Sequence, residues 1–181
     1  LKMAFWSDAT QSDPKRQYRF IADIGGEVNT FTVKKVEKPS FSVSETEHKY
    51  LNHTYYYPGR VTWNTISVTL VDQGGADDTA QVIANIVAAS GYNPQDAESS
   101  AATISKQSAV SNLEYVIIEQ LDSIGNTVEK WTLKNAWIQD VKFGNLDYEG
   151  DELTEIELVL RYDWAELEAG RPRDRIWKAG S

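Results

Sequence analysis

Cysteine is absent from the 181-residue sequence, which removes disulfides, thiolate nucleophiles and thiolate metal sites together. Histidine is nearly absent: only His48 and His53 occur, leaving little imidazole for metal ligation or proton transfer. No stretch of about 18 consecutive apolar residues is present, so no transmembrane helix is expected and no membrane partner with it. The N-terminal residues lack a basic region leading into an apolar run and a small-residue cleavage site, so no secretory signal is expected. Positive charge is scarce as well. A net charge of −9 and a pI near 4.7 argue against a reader of DNA sequence, which needs clustered lysine and arginine to neutralise phosphates. The one basic gathering, Arg171, Arg173, Arg175 and Lys178 around Pro172, has the composition of a solvated tail. Glycine forms no phosphate-cradling pattern, since Gly25-Gly26 and Gly74-Gly75 are isolated pairs and read as turns.

What remains is an ordinary globular balance, 41% hydrophobic and 25% charged, long enough for one real core. Tyr18, Phe20, Ala22 and Ile24 alternate with Arg19, Ile21 and Asp23, the period of a half-buried strand ended by Gly25-Gly26. Phe31 and Val33 against Thr32 and Lys34 give a second strand, and the short link predicts an antiparallel hairpin with the first. After Pro58-Gly59, the run Val61, Trp63, Ile66, Val68 and Leu70 predicts a central strand. Residues 113 to 121, the Ser123-Ile124-Gly125-Asn126 turn and Val128, Trp131 and Leu133 predict another hairpin, and 136 to 141 a further short strand. Ile156, Leu158, Leu160 and Tyr162 make the clearest alternation, facing away from Glu155, Glu157, Val159 and Arg161.

Asp77 or Asp78 caps a helix whose stripe is Val82, Ile83, Ile86 and Val87 and which Ser90-Gly91 closes. Seven or so strands with one helix predict a mainly β fold, an antiparallel β-sandwich or barrel with one flanking α-helix. The division expected is an N-terminal arm (1–17), a β-sandwich domain (18–165) and a C-terminal tail (166–181). Within the domain lie an extended aromatic arm (40–60), the helix (77–91) and a mobile insertion (92–110) that lacks apolar periodicity.

The arm carries Phe41, Val43, Tyr50, Leu51, Tyr55, Tyr56, Tyr57 and Arg60, candidate inter-subunit contacts because exposed apolar surface marks contact surfaces. The competing reading caps the domain's own core with these rings, polar tips outward. His48 and His53, with Glu45 and Glu47 nearby, do not match metal-ligand spacing, so no metal site is expected. The acidic run Asp147, Glu149, Asp151, Glu152, Glu155 and Glu157 fits no helix-loop-helix calcium pattern and reads as a solvated turn and strand face. A paired-carboxylate hydrolase would need a pocket that the sequence does not display. No catalytic residue, cofactor or enzymatic activity is expected.

The stretch Tyr57-Pro58-Gly59-Arg60-Val61-Thr62-Trp63, continuing to Asp72, resembles the strand of T-even-like, contractile-tail (myovirus-type) bacteriophage tail tube proteins that passes a tryptophan and ends at an aspartate before a helix. Ala136-Trp137-Ile138, Gly144 to Asp147 and Glu152 to Asp163 are similar to that family's closing strand pair. The resemblance implies a non-enzymatic virion protein, assembled in the bacterial host cytoplasm, whose hexameric rings stack into the inner tail tube. Its implied partners are further copies of itself, the tail sheath protein, the tape-measure protein and the baseplate hub, with viral DNA only as transiting cargo. The six carboxylates from Asp147 to Glu157 would then face the lumen and repel phosphate. Two other readings stand beside it: a baseplate or tube-initiator subunit or the inner tube of an injection system, and, from a different class, a carbohydrate-binding β-sandwich.

Overall fold

The computed structural model describes residues 14–26, 28, 30–75, 78–92, 103–113, 115–169 and 175–176. Two antiparallel sheets face each other across one apolar core. The five-stranded sheet has the order β1-β6-β7-β10-β11, built from β1 (Phe20–Ile24), β6 (Val116–Leu121), β7 (Thr127–Lys134), β10 (Trp164–Ala169) and β11 (Arg175–Ile176). The four-stranded sheet has the order β2-β5-β9-β8, built from β2 (Val33–Val36), β5 (Ile66–Val71), β9 (Glu155–Arg161) and β8 (Trp137–Lys142). A separate two-stranded sheet, β3 (Phe41–Tyr50) with β4 (His53–Trp63), stands apart as a long hairpin.

Period-two alternation places the core. In the register Leu70↔Ile156, Val68↔Leu158 and Ile66↔Leu160, every inward side chain of β5 and β9 is buried. They meet Ile24, Val116, Ile118, Leu133 and Ala165 from the other sheet. Helix α1 (Thr79–Ala89) adds Ile83 and Ile86 to the same core. Asp78 caps it: its Oδ1 accepts from the backbone N–H of Ala80 (3.0 Å) and Gln81 (3.3 Å), satisfying donors that the first turn leaves open. A second helix, α2 (Lys106–Leu113), packs against α1 and β8 and buries Ala109 and Leu113.

The antiparallel β-sandwich is as the alternation predicts, but several boundaries differ. The first two strands do not form a hairpin. Gly25 and Gly26, both at positive φ, turn the chain so that β1 pairs with β6 while β2 crosses to pair with β5. A Cβ on Gly25 would come within 2.7 Å of the Leu113 carbonyl oxygen, so the turn also needs glycine for space. Residues 30–32 form a 3-10 turn instead of strand, with Phe31 outward and Thr32 buried. The run from Val61 to Leu70 breaks at Asn64-Thr65 into two strands of different sheets.

The 92–110 insertion is partly helix: α2 begins at Lys106 and extends to Leu113, which leaves strand β6 to start at Val116. Residues 93–102 lie outside the described residues. The 166–181 tail is corrected too, because β10 runs to Ala169 along β7 and β11 folds back on β10. Of the N-terminal arm, residues 1–13 fall outside the described residues, and Lys15 is ion-paired with Glu129 of the sandwich. Among the described residues the structure therefore holds eleven strands and two α-helices, against seven or so strands and one helix.

Candidate functional site

Two surfaces project from the opposite ends of β5. The hairpin leaves the sandwich just before Ile66, and the loop 143–154, between β8 and β9, is fastened just after Val71, where the Asp72 N–H donates to the Thr154 carbonyl (2.9 Å). At the foot of the hairpin, the Asn64 N–H donates to the Ser40 carbonyl (2.9 Å) and the Asn64 side chain to Ser40 Oγ (3.1 Å). Phe41 and Trp63 meet edge to face there, centroids 5.2 Å apart.

Every residue of β3 is exposed, as are all but Thr54 and Trp63 of β4. An isolated two-stranded hairpin is at best marginal in water, so its length and its rings require a reason outside its own fold. Its register is Phe41↔Trp63 and Val43↔Val61 at the base and Glu45↔Pro58 to Tyr50↔His53 toward the tip, with a shift between Val43 and Glu45. Ser44 faces the extra residue. Its Oγ accepts from the Arg60 N–H (2.8 Å), and a Cβ on Gly59 would lie 2.3 Å from that same Oγ.

The bulge sorts the sequence candidates onto two faces. Phe41, Val43 and Tyr56 share one face with Glu45 and Glu47; Tyr50, Tyr55, Tyr57 and Arg60 share the other with His48 and His53. Leu51 sits at the tip with φ 53° and is almost wholly exposed. The His53 and Tyr55 rings are 4.6 Å apart, edge to face.

The acidic candidates divide as well. Glu155 and Glu157 lie on the outer face of β9 and are neutralised, Glu155 by Lys34 and Glu157 by Lys142 (3.3 Å). The other four, Asp147, Glu149, Asp151 and Glu152, stand in the loop 143–154, which contains no basic residue. This loop encloses an open concavity of about 1250 Å³ lined only by residues 142–157, so it stands off the body. It exposes Leu146 (90%), Tyr148 and Leu153 (73%). No group of three or more His, Asp or Glu able to hold a metal ion occurs among the described residues. No helix among them is long and apolar enough to cross a membrane.

The sequence reading missed a partly buried charge cluster centred on Glu129. Glu129, on the inward face of β7, is paired with Lys15 and with Lys38 (2.8 Å), and Lys38 also donates to Gln120 Oε1 (2.6 Å). Gln120 donates onward to the Arg16 carbonyl (3.2 Å). Burial pushes the Glu129 carboxyl up, but hydrogen bonds from Lys15, Lys38 and Trp131 outweigh it and hold the group at about 2. The signal available in the sequence was a lone glutamate at an inward position of a strand, too common to single out.

No family model and no curated protein matches the chain. Solved structures do. A chain of the cryo-EM structure of the anti-feeding prophage baseplate, 6-fold symmetrised, superposes with a TM-score of 0.63 at 17% identity, covering 89% of this chain and 99% of that one. A chain of the anti-feeding prophage cap, which terminates the tube, gives 0.64 at 14% identity over 92% and 99%. A chain of the sheath/tube terminator of the extracellular contractile injection system PVC, in its extended state, gives 0.64 at 16% over 87% and 99%. This chain therefore has the fold found in the tube, cap and baseplate region of contractile injection machines. That is a coarser class than the T-even-like phage tube proteins which residues 57–72 resemble.

Proposed function

We propose that the chain is a structural, non-enzymatic subunit of the inner tube of a contractile machine, working by assembly into stacked hexameric rings with a central channel. The observation that carries it is a body with unsatisfied apolar surface at both ends of β5, joined to the fold of tube, cap and baseplate chains. Edges support it too: among the described residues β2 and β8 are the edge strands of the four-stranded sheet, and closing such edges against neighbours is how a sheet avoids indiscriminate pairing.

The partners that follow are further copies of the chain, a contractile sheath around the tube, a tape-measure protein inside it and a baseplate hub at its end. In a phage tail the channel would pass DNA and the assembled form would be a virion; in an injection system it would pass a different cargo. The likeness to chains of the anti-feeding prophage and PVC assemblies favours the injection-system version. Of the six carboxylates, Glu155 and Glu157 carry their own lysines, which argues against them as the source of a lumenal charge.

Negative-stain microscopy at increasing protein concentration, with light scattering for mass, tests the reading. Rings or tubes with a central hole are the expected result. A monomer at every concentration, with binding on a glycan array, would replace this reading with a carbohydrate-binding sandwich.

A further inference from the structure

We infer that the tyrosine face of the hairpin on one copy receives the 143–154 loop of a second copy, making a head-to-tail contact along the axis of β5. This rests on the tube reading and names the contact that stacks it.

Three observations converge. First, the receiving face is aromatic, carries Arg60 and lacks carboxylates: the bulge opposite Ser44 gathers Tyr50, Tyr55, Tyr57, His48, His53 and Arg60 onto it, and leaves Glu45 and Glu47 on the reverse. Second, the loop has the complementary chemistry, with Leu146, Tyr148 and Leu153 exposed between Asp147, Glu149, Asp151 and Glu152 and no cation of its own. Arg60 and the tyrosine hydroxyls offer donors to the loop's four carboxylates, which when ionised can only accept. Leu146, Tyr148 and Leu153 of the loop and Tyr50, Tyr55 and Tyr57 of the hairpin are all exposed, and the loop's concavity is lined only by residues 142–157.

Third, the two surfaces are rooted at opposite ends of β5. The hairpin departs at the start of β5 and the loop is tied down at its end, six residues of strand apart. At about 3.3 Å per residue that is roughly 20 Å, with the two elements leaving at opposite ends. A copy translated along β5 brings one copy's loop to the next copy's hairpin. Such a contact is heterologous, so it repeats: each added copy presents a fresh face. The loop therefore has two duties that its sequence divides, with leucine and tyrosine anchoring and carboxylates setting the partner.

The absence of cysteine supplies a direct test. Chains carrying Tyr57→Cys alone are mixed with chains carrying Leu146→Cys alone, assembled, oxidised mildly and separated without reductant. Microscopy of the same samples reports whether assemblies formed. A 57–146 mixed disulfide, identified by mass spectrometry and at least about tenfold more abundant than either homodimer, is expected. Arg60→Glu, which sits on the exposed hairpin and leaves the core intact, should raise the protein concentration needed for assembly about tenfold. Assemblies with no mixed disulfide, or with homodimers predominating, would overturn this contact and leave the tube reading standing. Wild-type protein that stays monomeric throughout would remove both.

Discussion

Trp63 stands with its ring 6.0 Å from that of Tyr162, centroid to centroid, and this pair is where the exposed hairpin is rooted in the core. Tyr162 is buried at the end of β9, and burial raises its hydroxyl above the ordinary tyrosine range. Trp63 is only half-buried, yet it touches both Phe41 and the core, so it ties the hairpin to the sandwich. Trp63→Ala should cost about 3 kcal/mol, typical of removing a large aromatic from a packed position. In a chain of this size that lowers Tm by roughly 6–12 °C, readable by circular dichroism. An unchanged Tm would show that the foot of the hairpin lies outside the cooperative unit.

The Glu129 cluster makes stability depend on acidity. Its carboxyl, held at about 2 when folded and near 4.5 when free, binds protons less readily in the native state. The stability it contributes is therefore fully present above about pH 4.5 and is lost as the pH falls toward 2. After allowance for solvent screening, Glu129→Gln should cost about 1–2 kcal/mol at pH 7. In urea titrations the gap between wild type and variant should shrink to less than half by about pH 3. A gap that stayed constant with pH would mean that Lys15 and Lys38 do not hold the ionised form.

Core and loop leucines should behave oppositely. Leu158 is wholly buried between Val68 and Val141, whereas Leu146 is 90% exposed on the projecting loop. Leu158→Ala is expected to destabilise by 2–5 kcal/mol through lost contacts and a residual cavity, by the usual range of about those values. Leu146→Ala should change monomer stability by no more than about 0.5 kcal/mol, and its effect should appear only in assembly. Denaturant midpoints of both variants, measured at a concentration where wild type is monomeric, decide the matter.

The sequence made the sandwich legible wherever strands alternate cleanly. In β9 the inward set Ile156, Leu158 and Leu160 is uninterrupted by polar residues, and burial follows it position by position. The hairpin was visible as an aromatic segment, but its two faces were not, because they depend on one extra residue at Gly59-Arg60, opposite Ser44, that periodicity cannot locate. β10 escaped detection for a related reason. Trp164–Ala169 offers only Ala165, Leu167 and Ala169 as inward apolar residues, two of them small, so its strand state rests on pairing with β7, a tertiary contact, more than on pattern. Helix α2 was hidden by its serines and glutamine; it is held by burial of Ala109 and Leu113 against neighbours.

That dependence of α2 on neighbours can be tested through Asp163. Lys106, the first residue of α2, donates to both carboxylate oxygens of Asp163, at 2.8 and 2.7 Å, and Asn135 donates to the same group at 2.8 Å. Asn135 itself adopts φ 55°, and the Asp163 N–H donates to the Lys134 carbonyl, so the carboxylate is held by the turn between β7 and β8 before the lysine arrives. The hydrogen bond from Lys106, with the smaller one from Asn135, draws the Asp163 carboxyl below its ordinary range. Both side chains are partly exposed, which limits the coupling expected in a Lys106→Met, Asp163→Asn double-mutant cycle to about 0.5–1 kcal/mol. The more telling readout is local: a cation in a helix's first turn opposes the macrodipole unless it is paired, and a short helix frays readily. Asp163→Asn should therefore speed amide exchange in α2 several-fold while leaving β5 and β9 protected. Equal acceleration in all three would mean that α2 opens only with the whole fold.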